Sequence, residues 1–202
     1  MNKESVLTRR GFLKTSLHLA GLYLLNPIYS AASNPIALYP GTNKAEVIYP
    51  TDKKLKLSKQ AFRFYHVHTR ESFGLEYGGW INQYDLGKLN YFLRDFHTGG
   101  VHSIDTELLD ILYHTRKKAG SRGRIEVISG YRTKQTNDKL RASSRRVAKK
   151  SLHIEGRALD FRLSDVRTNK VRDLAIALHK GGVGYYGSNN FIHVDTGDFR
   201  IW

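Results

Sequence analysis

The sequence predicts an α+β domain, and three observations carry that expectation. The chain has 202 residues, of which 40% are hydrophobic and 25% charged, a balance that suits one globular domain with its own core. Short stretches of alternating apolar and polar residues are interspersed with longer stretches at helical spacing. Cysteine is absent, so the fold is held without disulfides and no thiolate can serve as nucleophile or metal ligand.

The elements follow in order. Residues 61–68 alternate, setting Phe62, Phe64, His66 and His68 on one face of a strand. Residues 86–96 read as a helix. Asp105 is placed to cap a second helix that carries Leu108, Leu109, Ile111 and Leu112 and stops at Gly120. Residues 124–129 form a strand with Ile125 and Val127 on one face, and 133–141 a short helix after a turn. Residues 157–163 and 190–195 read as strands. Between them, 168–180 is a helix with Val171, Leu174 and Leu178 at helical spacing, ended by Gly181 and Gly182.

The first segment reads as a signal rather than as fold. Lys3, Arg9, Arg10 and Lys14 precede a mildly apolar run and the small residues Ser30, Ala31 and Ala32, the three-part layout of an export signal. The run, interrupted by His18, Asn26 and Pro27, is too short for a membrane span. Thr8-Arg9-Arg10-Gly11-Phe12-Leu13-Lys14 resembles the twin-arginine signal of bacterial export, which implies a periplasmic protein exported already folded. The expected organisation is an export signal at 1–32, a Pro- and Lys-containing linker at 33–60 and one domain at 61–202. The formal net charge is +15, and removal of residues 1–32 leaves +12. Such a chain seeks polyanions: nucleic acid, anionic lipid or an acidic wall polymer. Export and the lack of an aromatic–basic recognition motif argue against nucleic acid.

Chemistry concentrates in Ser151-Leu152-His153-Ile154-Glu155-Gly156-Arg157-Ala158-Leu159-Asp160 and in Phe191-Ile192-His193-Val194-Asp195-Thr196-Gly197. A catalytic zinc takes three protein ligands from imidazole and carboxylate and keeps one position open. His153, Asp160 and His193 supply two imidazoles and a carboxylate, and Gly156 lets the chain turn between the first two. His193 and Asp195 leave the same face of a strand, while Ile192 and Val194 anchor the other face. Two imidazoles and a carboxylate also accept other divalent metals. His66 and His68 have no carboxylate partner in the motif and read as structural or substrate-lining. Gly181-Gly182-Val183-Gly184 lacks the residues of a phosphate loop and suits close backbone approach near a cleft. The basic run at 141–150 is placed to attract carboxylate-rich peptides.

These motifs are also familiar together. Leu93-Arg94-Asp95, Ser129-Gly130-Tyr131-Arg132, Asn137, Val147-Ala148, Ser151-Leu152-His153, Gly181 to Tyr186, His193-Val194-Asp195-Thr196-Gly197 and Arg200-Ile201-Trp202 resemble the YcbK-like, or MepK-like, murein endopeptidases. That branch belongs to the superfamily of zinc D-alanyl-D-alanine carboxypeptidases and VanX-type dipeptidases, whose fold the hedgehog signalling domain shares. The resemblance covers roughly residues 61–202. It implies a small antiparallel sheet flanked by helices with a zinc cleft, and a zinc-dependent hydrolase acting on peptidoglycan cross-links through metal-activated water. It assigns zinc to His153, Asp160 and His193, and the substrate carbonyl to Arg132, a role that suits a fixed guanidinium beside a developing oxyanion. Asp195 is a candidate base or an orienting partner of a ligand. Tyr131, Ser151, Tyr185 and Tyr186 are candidate substrate-binding residues. One departure stands out. Relatives in the carboxypeptidase branch carry a basic glutamate three residues before the last histidine, and another branch carries a histidine two before it. Here those positions are Asn190 and Phe191, neither of which takes a proton from water. A zinc-containing peptidoglycan-binding protein without catalysis and a cell-wall carboxypeptidase therefore stand as alternatives.

Overall fold

A computed structural model describes residues 58–144 and 147–202. The expected export signal, linker residues 33–57, Arg145 and Arg146 lie outside the described residues. Strand β1 (Gln60–His66) turns through residues 67–71 into β2 (Ser72–Tyr77), and helices α1 (Gln83–Phe92) and α2 (Glu107–Ala119) follow. Strand β3 (Ile125–Ser129), helix α3 (Lys134–Ser143), a 3-10 turn (Leu152–Glu155) and β4 (Ala158–Leu163) form the middle of the chain. Helix α4 (Thr168–Ile176) and strands β5 (Gly182–Tyr186), β6 (Phe191–Asp195) and β7 (Arg200–Ile201) complete it.

The strands form one seven-stranded sheet in the order β2-β1-β3-β4-β6-β5-β7. It is larger than the small antiparallel sheet expected, and it is mixed. β1 with β3 and β5 with β7 are parallel, and the other neighbours are antiparallel. β3 comes parallel to β1 after β2 and two helices have carried the chain back, and β7 comes parallel to β5 because antiparallel β6 reverses the chain between them, with only residues 196–199 leading into β7.

One face of the sheet makes the core. Phe62 and Phe64 on β1, Ile125 and Val127 on β3, Phe161 on β4 and Ile192 and Val194 on β6 are buried there, the alternation expected of strands with one apolar face. Leu89 and Phe92 of α1, Leu108, Leu109, Ile111 and Leu112 of α2, and Val171 and Ala175 of α4 belong to the same cluster. Several boundaries differ from expectation. α1 starts at Gln83 because Asn82 caps it, its Oδ1 accepting the Asp85 N–H at 2.8 Å. It ends before Asp95, whose carboxylate accepts the His97 N–H at 2.9 Å and turns the chain. The N-cap of α2 is Thr106, while Asp105 still accepts the Glu107 N–H. α2 ends at left-handed Gly120 as expected. α4 stops at Ile176, not Lys180, since residues 177–181 must reverse the chain into β5 and His179 is already left-handed. β2, β5 and β7 lacked a sequence signal: β2 buries only alternate residues at its end, β5 is glycine-rich, and β7 is two residues long.

Candidate metal centre

The opposite face of the sheet, around β4 and β6, carries the chemistry. Asp160 on β4 pairs directly with His193 on β6, and directly opposed residues share a face with their Cβ atoms about 5 Å apart. On the other side of β4 the register shifts between Val127 and Ser129, so that Ser129 rather than Ile128 faces Asp160. This bulge turns the end of β3 from the core toward the site. His153 arrives on the 3-10 turn, which closes at Gly156 with φ +68°. A Cβ there would lie 2.1 Å from the Ser103 carbonyl oxygen, so this turn accepts only glycine.

His153 Nε2, His193 Nδ1 and Asp160 Oδ1 form a triangle with edges of 3.2, 2.9 and 3.3 Å. All three residues are buried. The remaining ring nitrogens decide what the triangle offers. His153 Nδ1 lies 2.6 Å from the Gly130 carbonyl, and His193 Nε2 lies 2.9 Å from Asp195 Oδ2. Both outer partners are acceptors, so each outer nitrogen carries the hydrogen and each inner nitrogen presents a lone pair. With those hydrogens outside, the two inner nitrogens and the Asp160 carboxylate can each turn a lone pair to one point, where a cation replaces any proton that His193 Nδ1 shares with Asp160. Tetrahedral coordination at ordinary zinc–ligand lengths sets ligand atoms about 3.3 Å apart, so the donor set and its spacing fit zinc. Among the described residues these three make the group able to hold a metal ion.

Charge follows the geometry. Burial lowers His153 from 6.5 to about 4, outweighing the pull of Asp160. Burial also acts to lower His193, but its hydrogen bonds to Asp160 and Asp195 outweigh it and raise this group. Burial alone would raise Asp160; the charges of His153 and Arg132 hold it well below the ordinary carboxylate range. Asp195 is likewise lowered, against burial, by its hydrogen bonds from His193, Gly197 and Gly182.

Arg132 stands beside the triangle. Its Nη2 donates to Asp160 Oδ2, its Nε to Ser129 Oγ at 2.7 Å, and its backbone N–H to the His153 carbonyl at 3.0 Å. The loop before it is tied to α1 through the Tyr131 N–H and the Leu93 carbonyl, and Asp95 Oδ2 accepts the N–H and hydroxyl of Thr133. An open cleft of about 550 Å³ lies over these groups.

The cleft sorts the remaining candidates. Ser151 and Tyr186 line it; Tyr131 and Tyr185 do not. Tyr131 stacks on His102 at 4.9 Å, and Tyr185, on the other face of β5 from Tyr186, sits under the Arg172 guanidinium. Asp195 is fully buried. Its oxygens accept from His193, Gly182, Gly197 and Arg200, so it orients His193 and does not face the cleft. Asn190 turns away, its Oδ1 accepting from the Thr168 hydroxyl. His66 and His68 line no part of the cleft. Three residues of the quoted motifs had no role assigned from sequence. Trp202 stands 5.2 Å from the His193 ring and donates to the Tyr186 hydroxyl at 3.1 Å; Phe191 stacks on Tyr186 at 4.6 Å; and Arg200 braces Asp195. A signal for Trp202 existed in Gly184, whose missing side chain makes room for the indole 2.6 Å from its Cβ position.

A buried His–Asp–His donor set at the floor of an open cleft, with a guanidinium alongside, is chemically able to hold one metal ion and leave it open to a ligand from the cleft. Comparison with known proteins places the chain among hydrolases of peptidoglycan. The family model described as peptidoglycan L,D-endopeptidase MepK matches residues 55–202. The peptidoglycan L,D-endopeptidase MepK of Escherichia coli (strain K12) is 44% identical over 139 residues, covering 68% of this chain and 76% of the relative. The probable peptidoglycan L,D-endopeptidase MepK of Haemophilus influenzae is 49% identical over 118 residues, covering 58% of this chain and 63% of that relative. The chain belongs to the MepK family of YcbK-like murein endopeptidases.

Proposed function

We propose that the protein is a zinc metallopeptidase that hydrolyses peptide cross-links of peptidoglycan in the periplasm. The observation that carries this reading is the triangle of acceptors at His153, Asp160 and His193, spaced as a tetrahedral zinc requires. The relatives' name adds the bond class, a link between an L- and a D-configured centre. On this reading residues 1–32 form a twin-arginine signal removed on export, 33–60 a linker and 61–202 the catalytic domain.

His153, Asp160 and His193 would hold the zinc, which when bound would supply polarisation of the scissile carbonyl and activation of water. The chain's own residues do the rest. Gly130 and Asp195 hold the two imidazoles in the tautomers that leave Nε2 of His153 and Nδ1 of His193 free to ligate. Arg132 is locked by Ser129 and Asp160, so its guanidinium is pre-aimed where negative charge develops on the carbonyl oxygen. Trp202, Tyr186 and Phe191 give the cleft an aromatic wall, and Arg132, Lys150 and Arg200 give it positive charge. Asp160 is the one carboxylate among the described lining residues, so substrate carboxylates meet a cationic cleft.

That same lining favours a second reading. With Asp160 ligating, Asp195 enclosed and Asn190 turned away, no further carboxylate side chain among the described residues lines the cleft as a proton acceptor. A zinc-containing peptidoglycan-binding protein without turnover would look this way. A muropeptide profile separates the readings. Purified sacculi are incubated with zinc-loaded mature protein or its His153→Ala variant, then digested and chromatographed. The endopeptidase reading expects cross-linked dimers to fall and monomers to rise with the unmodified protein alone. Release of a free terminal amino acid marks a carboxypeptidase instead. Unchanged profiles, with protein pelleting on sacculi, make it a binding protein.

A further inference from the structure

We propose that the outer face of α1, together with Trp80, is a platform for the glycan strands of peptidoglycan, separate from the peptide cleft; the choice of polymer rests on the reading above. Trp80, Tyr84 and Tyr91 are 62%, 56% and 54% exposed, the three most exposed large hydrophobic residues among those described. All fall within residues 80–91. Tyr84, Lys88 and Tyr91 are spaced i, i+4 and i+7, which puts them on one helix face. Leu89 and Phe92 anchor the other face in the core. Concentrated aromatic exposure on a rigid element marks a binding surface rather than ordinary surface composition.

The chemistry of the stripe points to a sugar polymer. Lys88 Nζ lies 3.9 Å from the Tyr84 ring centroid, and the Arg94 guanidinium lies 4.2 Å from that of Tyr91. Glu71 grips Arg94 through two bonds of 2.9 Å. Each ring therefore has one face backed by a cation, while its exposure leaves the rest open to solvent. An amphipathic ring suits a pyranose, which offers an apolar C–H face to stack on and a polar hydroxyl edge, and the cations beside the rings suit the carboxylates of the stem peptides that a glycan strand bears. Seven residues of α-helix rise about 10 Å, so Tyr84 and Tyr91 stand about a disaccharide apart. A lipid surface fits less well. Helices that lie in membranes bury a continuous apolar face in the lipid, whereas here Leu89 is buried, Leu86 packs against the core and the exposed stripe of α1 is two tyrosines with Lys88 between them. The platform is also joined to the chemistry, since the residues that follow α1, Leu93 and Asp95, hold the loop that carries Arg132.

The test uses the mature protein and its Trp80→Ala/Tyr84→Ala/Tyr91→Ala variant. Three substrates are compared: intact sacculi, glycan strands stripped of stem peptides, and a small soluble cross-linked muropeptide. The expected result is that the unmodified protein co-sediments with sacculi and is retarded by the stripped strands. The variant should lose about tenfold in affinity for both, while both proteins handle the soluble muropeptide alike. Unchanged sedimentation of the variant overturns the proposal, as does failure of the unmodified protein to bind stripped strands. Retention on vesicles of anionic phospholipid that the variant loses, without loss on sacculi, replaces the glycan by a membrane. If the unmodified protein leaves the soluble muropeptide intact, the peptidase reading fails, and the sedimentation result still decides the platform.

Discussion

Two regions of the sheet bring histidine rings together, and only one of them offers a metal site. His153 and His193 have ring centroids 5.0 Å apart; His66 and His68, at and just beyond the end of β1, are 5.9 Å apart. His66, His153 and His193 are all buried. The difference lies in the second nitrogen of each ring. His153 and His193 spend theirs as donors to the Gly130 carbonyl and Asp195, so their other nitrogens are free to share a cation with Asp160. The Nδ1 of His66 instead accepts the N–H groups of His68 and Thr69 at 3.3 and 3.4 Å. Its hydrogen must then sit on Nε2, which has no hydrogen-bond partner. The rings of Phe92 and Phe96 meet His66 edge-on at 6.0 and 5.5 Å, where a ring N–H finds weak attraction. A backbone carbonyl in one place and backbone N–H groups in the other decide which pair can ligate.

The largest expected effect breaks this contrast directly. His153→Ala removes one corner of the triangle, and zinc affinity should fall well beyond the ~100-fold that loss of a mere supporting partner brings. His66→Phe should keep full zinc stoichiometry. Both are read by competition with a chromophoric chelator. Zinc lost from His66→Phe would mean that the two clusters are not chemically distinct.

The next effect concerns acid. Burial, followed by the nearby His68, lowers His66 from 6.5 to about 4. A histidine lowered in the folded state stabilises the fold fully above its ordinary range and ceases to do so as pH falls toward its folded value. His66 should therefore cost roughly 3 kcal/mol of stability between pH 6.5 and 4. Urea titrations across that window, with chelator present, compare the unmodified protein with His66→Phe. Both carry His153, also lowered to about 4, so the difference between them isolates His66. Equal acid sensitivity in the two proteins would remove His66 from this role.

The same contrast explains what was legible in the sequence. Strand alternation gave the faces: Phe62, Phe64 and His66 turn inward on β1, and Ile192 and Val194 back His193 on β6. The spacing of His153, Asp160 and His193 suggested ligands, yet their tautomers depend on Gly130 and Asp195, contacts that only the folded chain makes. The bulge after Val127 could not be read either, because Ile125, Val127 and Ser129 alternate regularly. Tyr185 and Tyr186 illustrate the limit of motif reading. Adjacent strand residues face opposite ways, so Tyr186 alone of the two reaches the cleft. Trp202 and Phe191 line the cleft because β7 and β6 flank β5, and β5 and β7 were both hidden by length or glycine content.

The smallest of the three effects tests the tautomer argument most closely. In Asp195→Asn the side-chain oxygen can keep the Gly182 and Gly197 N–H groups, which now approach at 3.0 and 2.9 Å. The amide NH2 then takes the place of Oδ2 beside His193 Nε2. A donor facing that nitrogen moves the ring hydrogen to Nδ1, which removes the lone pair from the triangle. Zinc affinity should fall about 10–100-fold, less than for loss of a ligand, because His153 and Asp160 remain in place. Arg200 also loses its ion pair, so Arg200→Met serves as a control that removes that bond and leaves the carboxylate beside His193. If Arg200→Met weakens zinc as much as Asp195→Asn, the effect comes from bracing. If Asp195→Asn alone weakens it, the carboxylate acts by fixing which nitrogen of His193 carries the hydrogen.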